Sequence, residues 1–162
     1  MAGTLNLDLV NSLKELKGST TFFLESLANC RLNVLIESQK ITDIGTASFI
    51  ERIVRLYFDN PQKPLLYCVS YLKKDALTND EFKALFEGGR PIGEIFHSLN
   101  KNQTIEKRNA SIQPEEAREI ASLLNVKSST VIKKQYDYWV AGRNLGYICE
   151  YFNEESISRY VL

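Results

Sequence analysis

Apolar and polar positions alternate along much of the chain, and this alternation predicts a sheet. Successive side chains of a strand point to opposite faces, so a period of two marks a strand. Loops rich in Gly, Asn, Asp and Pro at residues 59–64 and 141–144 predict hairpins between neighbouring strands. The predicted strands are residues 31–38, 49–58, 65–72, 104–112, 129–140 and 145–152.

Helical spacing and capping residues fill the intervals between these strands. Thr78 and Glu81 form a capping box, and Gly88 ends the helix that follows. Pro114 suits the first turn of a helix. The predicted helices are residues 9–16, 22–28 (capped by residues 19–21), 79–87, 94–99 and 114–124. The pattern predicts one α+β domain over residues 1–162, with a mostly antiparallel sheet. Its central strands are apolar on both faces, which indicates helices packed on the sheet or a curled sheet around a pocket.

Two charged residues interrupt the apolar faces of the predicted strands. Arg52 shares its face with Ile50 and Val54, and Glu150 shares its face with Ile148 and Phe152. A buried charge without a partner is costly, so such residues pair with each other or bind a ligand. A guanidinium holds a planar carboxylate by two parallel hydrogen bonds, and a carboxylate can orient a substrate hydroxyl or move a proton. The pattern gives a structural salt bridge and a ligand site roughly even weight.

Other charged positions favour structural roles on pattern alone. Arg55 faces away from Arg52 and is expected to be a solvated or structural charge. Glu106 and Arg108 share one face of their strand and Lys107 takes the other, which is typical of cross-strand pairs facing solvent. His97 is the single histidine and has no neighbours at metal-ligand spacing. The sequence has no nucleotide-binding glycine motif and no zinc-peptidase motif, so a nucleotide cofactor and a zinc-peptidase activity lack support.

Composition narrows the class of protein. Lys+Arg equals Asp+Glu at 20 each in 162 residues, which argues against a nucleic-acid partner. No apolar run approaches the ~18 residues of a membrane span, and the N-terminus does not resemble a signal peptide. Three cysteines without a paired motif fit a reduced, cytoplasmic protein. The oligomeric state stays open.

Three segments stand in a fixed order along the chain: Arg52-Ile53-Val54-Arg55-Leu56 with its following strand, Arg90-Pro91-Ile92-Gly93-Glu94-Ile95-Phe96, and Gly142-Arg143-Asn144-Leu145 leading to Glu150-Tyr151-Phe152. Together they resemble the chorismate lyase family, above all its shorter bacterial and archaeal branch. The effector-binding domains of GntR-type regulators belong to the same superfamily. Glu106-Lys107-Arg108 adds a weaker likeness, and the whole resemblance covers about residues 20–155.

The resemblance implies a chorismate lyase-like fold, in which the sheet and its helices enclose an internal ligand pocket. The substrate that the resemblance implies is chorismate, a ring acid with a hydroxyl group and an enolpyruvyl ether. Arg52 would anchor its ring carboxylate and Glu150 would lie near its ring hydroxyl, both as catalytic residues. Ile92 and Gly93 would bind the substrate, and Arg108 would hold its enolpyruvyl carboxylate. The family's Gly-Ser-(Leu/Met)-Thr turn has its nearest match at residues 25–28, which puts Leu27 in the substrate site. Lys133 and Lys134 replace an arginine common in the family.

The resemblance further implies an activity, the cofactor-free conversion of chorismate to 4-hydroxybenzoate and pyruvate. A second reading is a non-catalytic domain that binds an aromatic acid effector, as in GntR-type regulators. Only about 20 residues precede the first matching segment, which favours the enzyme. A third reading is a lyase that acts on a modified chorismate or another cyclohexadienyl acid.

Overall fold

The computed structural model describes residues 11–13 and 15–161, with the backbone alone for residues 160 and 161. Of the predicted first helix, residues 11–13 and 15 are helical and residue 16 is not, while residues 9, 10 and 14 lie outside the described residues. The strands are β1 Asn33–Ile44, β2 Ala47–Tyr57, β3 Leu66–Lys73, β4 Ile105–Glu116, β5 Thr130–Val140 and β6 Arg143–Phe152. The helices are α1 Thr20–Ala28, α2 Asn79–Glu87, α3 Ile92–Leu99, α4 Arg118–Leu124 and α5 Glu154–Val161, with a 3₁₀ turn at Lys74–Ala76.

The strands form one antiparallel sheet of six strands in the order β1-β2-β3-β6-β5-β4. Three hairpins, β1-β2, β2-β3 and β5-β6, account for most neighbouring strand pairs. The two halves of the chain meet where β3 pairs with β6 at the centre of the sheet. The predicted α+β class and antiparallel sheet are confirmed.

One face of the sheet, called here the cavity face, carries two apolar cores. One core joins Val54, Leu56 and Leu66 to Leu24 of α1 and Ile157 of α5. The other joins residues of β5 and β6 to α2 and α3. The opposite face of the sheet holds a smaller core beneath α4. On the cavity face, α1 and α5 therefore cover one core, and α2 and α3 cover the other.

Local structure follows the expected signals at most helix ends. Ser19 caps α1 by accepting a hydrogen bond from the backbone N–H of Phe22 at 3.3 Å. The capping box of Thr78 and Glu81 is present at α2. None of the helices in the described ranges is both long and apolar enough to cross a membrane.

Two predicted boundaries are wrong. The first strand continues through residues 39–44 and forms a hairpin with β2, although its final residues are mostly polar. Pro114 does not begin a helix: it lies in β4 opposite Ile132, and the helix begins at Arg118. β4 is an edge strand, and proline is tolerated there because one side of the strand needs no backbone donor.

Candidate functional site

A cavity lies on the cavity face of the sheet, in the gap between the two cores. Alternate residues of β2, β3, β6, β5 and β4 form its floor, and residues 17–21 and 91–93 form part of its wall. It leaves about 70 Å³ for the centres of water-sized molecules. A single buried water needs roughly 10–15 Å³ on this measure. The cavity is therefore large enough for a small organic ligand.

Arg52 is the most deeply buried charge in the cavity, with 1% of its surface exposed. Its Nε donates to Oε1 of Gln39 at 3.0 Å, and its Nη2 donates to the carbonyl oxygen of Arg90 at 2.5 Å. These bonds fix the plane of the guanidinium. Burial lowers the pKa of Arg52 to about 10, so the side chain keeps its charge at neutral pH.

The remaining nitrogen of this guanidinium, Nη1, is buried and has no hydrogen-bond partner among the residues that the structure describes. Buried donors are rarely left unpaired, because the desolvation cost of such a donor is about 1–3 kcal/mol, and more when it is charged. The positions of the other two nitrogens are set by neutral acceptors, so no carboxylate of the described chain neutralises Arg52 through a close ion pair. Arg52 is therefore arranged to receive an anionic group.

Glu150 lies elsewhere on the floor of the same cavity, with 4% of its surface exposed. Its Oε1 accepts a hydrogen bond from the hydroxyl of Thr20 at 3.0 Å. The same hydroxyl oxygen accepts a hydrogen bond from Nζ of Lys107 at 2.8 Å. Glu150 therefore has a neutral donor in direct contact and a cation one hydroxyl away.

Arg52 and Glu150 are separated across the floor and do not pair with each other in the part of the chain that the structure describes. Glu150 is two strands away from Arg52 and two positions further along, since Arg52 pairs with Ser70 and Ser70 pairs with Ile148. At ~4.8 Å per strand and ~3.3 Å per residue, their Cα atoms lie roughly 12 Å apart. The cavity therefore has a guanidinium at one end of its floor and a carboxyl group at the other.

The N-terminal ends of α1 and α3 meet at the cavity wall. The first N–H groups of a helix have no acceptor within the helix, and they carry partial positive charge. Ile92 and Gly93, both predicted site residues, form the first turn of α3 and line the cavity. A Cβ at Gly93 would lie 2.6 Å from Oγ of Ser19, so glycine allows the two helix ends to approach closely.

Two predicted site residues lie outside the cavity. Leu27 is 41% exposed near the end of α1, whereas the beginning of that helix reaches the cavity. Arg108 has a side chain that is 44% exposed, and it pairs with Glu106 and stacks on Trp139 at 3.9 Å. Strand alternation turns Arg108 away and turns Lys107 towards the cavity. The structure therefore corrects both placements.

Sequence reasoning missed two parts of the site. Gly18-Ser19-Thr20-Thr21 lines the cavity, and it matches the Gly-Ser-x-Thr turn of the resembled family at every position but the third. Thr20 in place of the usual apolar residue concealed this match. Lys107 was recognised as facing away from Arg108, but the pattern did not show which of the two faces was covered.

Further polar groups surround Glu150. Burial, followed by the nearby carboxylate of Glu150, raises the pKa of Tyr136 well above its usual value, so its hydroxyl remains a donor. Burial likewise lowers the pKa of His97, which lines the cavity on α3. Lys134 faces the same side as Glu150 but donates instead to the carbonyl oxygens of Leu13 and Leu16, at 2.6 and 2.9 Å. Within residues 11–13 and 15–161, no group of three His, Cys, Asp or Glu side chains is placed to hold a metal ion.

The fold and this enclosed, two-ended cavity define a small-molecule-binding domain of the chorismate lyase type. The family model for Rv2949c-like chorismate pyruvate-lyases matches residues 18–161, so the chain belongs to this family. The matched range includes the Gly-Ser-x-Thr turn and both predicted catalytic residues. No curated protein matches the chain.

Solved structures show where the same fold occurs. The ligand-binding domain of a proposed GntR-family transcriptional regulator from Bordetella bronchiseptica superposes with a TM-score of 0.56 and 14% identity, covering 75% of this chain and 82% of that one. The C-terminal domain of Yurk from Bacillus subtilis superposes with a TM-score of 0.53 and 12% identity, covering 75% of this chain and 90% of that one. A GntR-family transcriptional regulator from Bacillus cereus superposes with a TM-score of 0.52 and 10% identity, covering 77% of this chain and 93% of that one. At these identities the likeness concerns the fold alone.

Proposed function

We propose that this protein is a chorismate–pyruvate lyase, which converts chorismate to 4-hydroxybenzoate and pyruvate. The observation that carries the proposal is the unpartnered Nη1 of Arg52 in a cavity that also contains Glu150. Membership of the Rv2949c-like chorismate pyruvate-lyase family supports the same substrate. The cavity thus offers a cation for the ring carboxylate and a carboxylate for the ring hydroxyl.

The ring carboxylate binds at the Arg52 end. Nη1 donates one charge-assisted hydrogen bond, and the first N–H groups of α3, which begins just after the Arg90 carbonyl that binds the guanidinium, supply further donors. Gln39 and the carbonyl oxygen of Arg90 hold the guanidinium in position before the substrate arrives. Preorganised donors of this kind stabilise charge without reorganising during the reaction.

The ring hydroxyl binds at the Glu150 end. In the reaction the bond between the ring and the enolpyruvyl oxygen breaks, and the hydrogen on the hydroxyl-bearing carbon leaves. The methylene carbon of the enolpyruvyl group gains a hydrogen, which gives the methyl group of pyruvate, and the ring becomes aromatic. Aromatisation supplies the driving force, so the protein contributes orientation and electrostatics. Glu150 orients the hydroxyl, and the apolar side chains of Ile92, Val54 and Ile148 exclude water around the ring.

Replacing Arg52 by Ala tests the proposal most directly. We expect the release of pyruvate and 4-hydroxybenzoate from chorismate to fall by about 1000-fold, because the ring carboxylate loses its charged donor. Arg52→Lys should recover only part of the activity, since an ammonium cannot reproduce the fixed guanidinium. Both products are measured for each purified variant, with circular dichroism as the check on folding.

Arg55→Ala is the matched control. Arg55 lies on the same strand, but it faces away from the cavity and pairs with Glu37. Its removal should leave turnover per folded molecule close to wild type. Wild-type turnover in Arg52→Ala would contradict the assignment. If the wild-type protein binds 4-hydroxybenzoate and forms neither product, it is a binding domain and not a lyase.

A further inference from the structure

A chain of hydrogen bonds joins Lys107 of β4 to Glu150 of β6 through Thr20 of α1. Nζ of Lys107 lies 2.8 Å from Oγ1 of Thr20, and this oxygen lies 3.0 Å from Oε1 of Glu150. The three residues come from distant parts of the sequence. They meet because alternation turns Lys107 into the cavity and because α1 begins at its wall.

The protons available on each group decide which group donates and which accepts in these two hydrogen bonds. A lysine ammonium has donors and no acceptor, so the Thr20 oxygen must accept from Lys107. The single proton of the Thr20 hydroxyl is then directed to Oε1 of Glu150. Oε1 of Glu150 is therefore the terminal acceptor of the chain, and the ammonium of Lys107 is its charged donor.

Lys107 is placed so that its charge acts on Glu150 without contacting it directly. Its ammonium lies 4.8 Å from the ring centroid of Tyr136, a distance that fits a cation–π contact. Burial lowers the pKa of Lys107, and the charge of Glu150 opposes that shift. A direct ion pair would occupy the carboxylate, whereas the intervening hydroxyl occupies only one side of Oε1.

We propose that Lys107 is a positioning residue that acts through Thr20 to keep Glu150 ionised and oriented towards the hydroxyl of the substrate. This inference rests on the proposed function for the identity of that substrate. The relay itself is a property of the free protein, so it can be tested separately. With the relay in place, Glu150 accepts the hydrogen bond of the ring hydroxyl. Without it, a proton competes for the carboxylate.

Other groups also face Glu150 and set the background for its titration. Cys68 and Tyr136 are buried beside it, and Lys134 lies opposite it on β5. Burial, followed by the charge of Lys107, lowers the pKa of Lys134 to about 8. Burial, followed by the charge of Lys107, also lowers the pKa of His97, which lines the same cavity on α3. Because Lys134 and His97 both change charge within the range of the titration, the assigned carboxyl signal of Glu150 is the readout of its own titration.

The test is a pH titration of the full chain by carbon NMR of its glutamate carboxyl groups, with Glu150→Gln used to assign the Glu150 signal. In Lys107→Met, the midpoint of the Glu150 titration should rise by at least about one pH unit. Thr20→Val should raise it as well, and Thr20→Ser should restore it, because serine keeps the hydroxyl. Lys133→Met is the control, since Lys133 pairs with Glu115 and does not line the cavity.

Turnover of chorismate gives a second readout. The acid limb of the kcat profile should move to higher pH in Lys107→Met and return towards wild type in Lys107→Arg. An unchanged Glu150 titration in both Lys107→Met and Thr20→Val would overturn the proposal. If Lys107→Met raises only KM and leaves the titration unchanged, Lys107 binds the substrate instead. If the wild-type protein does not turn over chorismate, the proposed function fails, but the NMR titration still decides the relay.

Discussion

Glu81 and Glu150 are both buried, yet their surroundings differ completely. Glu81, 1% exposed, accepts four hydrogen bonds: two from Arg143 at 2.8 and 2.9 Å, one from the backbone of Thr78 at 2.9 Å and one from Asn100 at 2.9 Å. Each of its oxygens accepts two of these bonds. Glu150 instead lies on the wall of a cavity, with its cation one hydroxyl away.

This difference separates a structural carboxylate from one that is available to a ligand. Glu81 has no acceptor capacity left, and its bonds join α2 to the turn before it and to β6. Burial by itself would raise the pKa of Glu81, but the bonds from Arg143, Thr78 and Asn100 lower it to about 2. Burial alone therefore does not identify a functional charge; the donors around it, and the space beside it, do.

Among variants of the two glutamates, Glu150→Gln is expected to show the largest effect, which is on the turnover of chorismate. An amide keeps one acceptor oxygen, but it presents a donor at the other position and carries no charge, so it cannot serve both Thr20 and the ring hydroxyl as a carboxylate does. We expect the rate of 4-hydroxybenzoate release to fall about 100- to 1000-fold, with the fold retained. The comparison variant is Glu81→Gln, measured per folded molecule, which should stay close to wild type. Activity within twofold of wild type in Glu150→Gln would make Glu150 a structural residue as well.

The next effect is on stability in Glu81→Gln. Loss of the charge leaves Arg143 without its carboxylate, and we expect the free energy of unfolding to fall by about 3 kcal/mol in urea denaturation at neutral pH. The pKa of Glu81 lies below its ordinary 4.5, so its stabilisation is complete above about pH 4.5 and is lost as the pH falls towards 2. The wild type should therefore lose stability over this range, and the variant should lose less.

Glu87→Gln is the control for that experiment. Glu87 pairs with Lys83 one turn away, and both side chains are largely exposed. Such a pair contributes about 0.5 kcal/mol or less. An equal loss of stability in Glu81→Gln and Glu87→Gln would show that the hydrogen bonds around Glu81 do not stabilise the fold more than an exposed ion pair does.

The contrast also shows which features the sequence could reveal. Alternation placed Arg52 and Glu150 on apolar strand faces, because an inward charge interrupts a regular pattern. The resembled motif placed Ile92 and Gly93 at the cavity, because that segment keeps its residue types and spacing. The capping box at Thr78 and Glu81 was visible, but the role of Arg143 as the partner of Glu81 was not, since that contact joins residues 62 apart in the sequence.

The sequence does not show which face of a strand is covered by helices, or which strands lie at the edges of the sheet, and the wrong predictions follow from this. Alternation separates Lys107 from Arg108 but does not state which face is covered, and β4 is an edge strand with weak apolar pattern on either side. Residues 39–44 are mostly polar because β1 is the other edge of the sheet. Ser19 and Thr20 were predicted as helix-capping residues, and a capping role does not reveal that the same residues border a cavity.

The smallest effect is expected in Gly93→Ala. This variant tests whether the close approach of α1 and α3 at the cavity wall shapes the ligand site. The new Cβ would lie 2.6 Å from Oγ of Ser19, so this side chain must rotate and lose its capping bond to Phe22, which costs about 1 kcal/mol. Alanine also favours a helix over glycine by a similar amount, so stability should change little. Binding of 4-hydroxybenzoate should nevertheless weaken about tenfold, or about 1.4 kcal/mol, because the new methyl group and the displaced Ser19 side chain both lie at the cavity wall. Gly88→Ala, where a Cβ meets nothing within 4 Å, is the matched control for calorimetric titration. Equal affinity in both variants would show that the close approach of the two helix ends does not shape the ligand site.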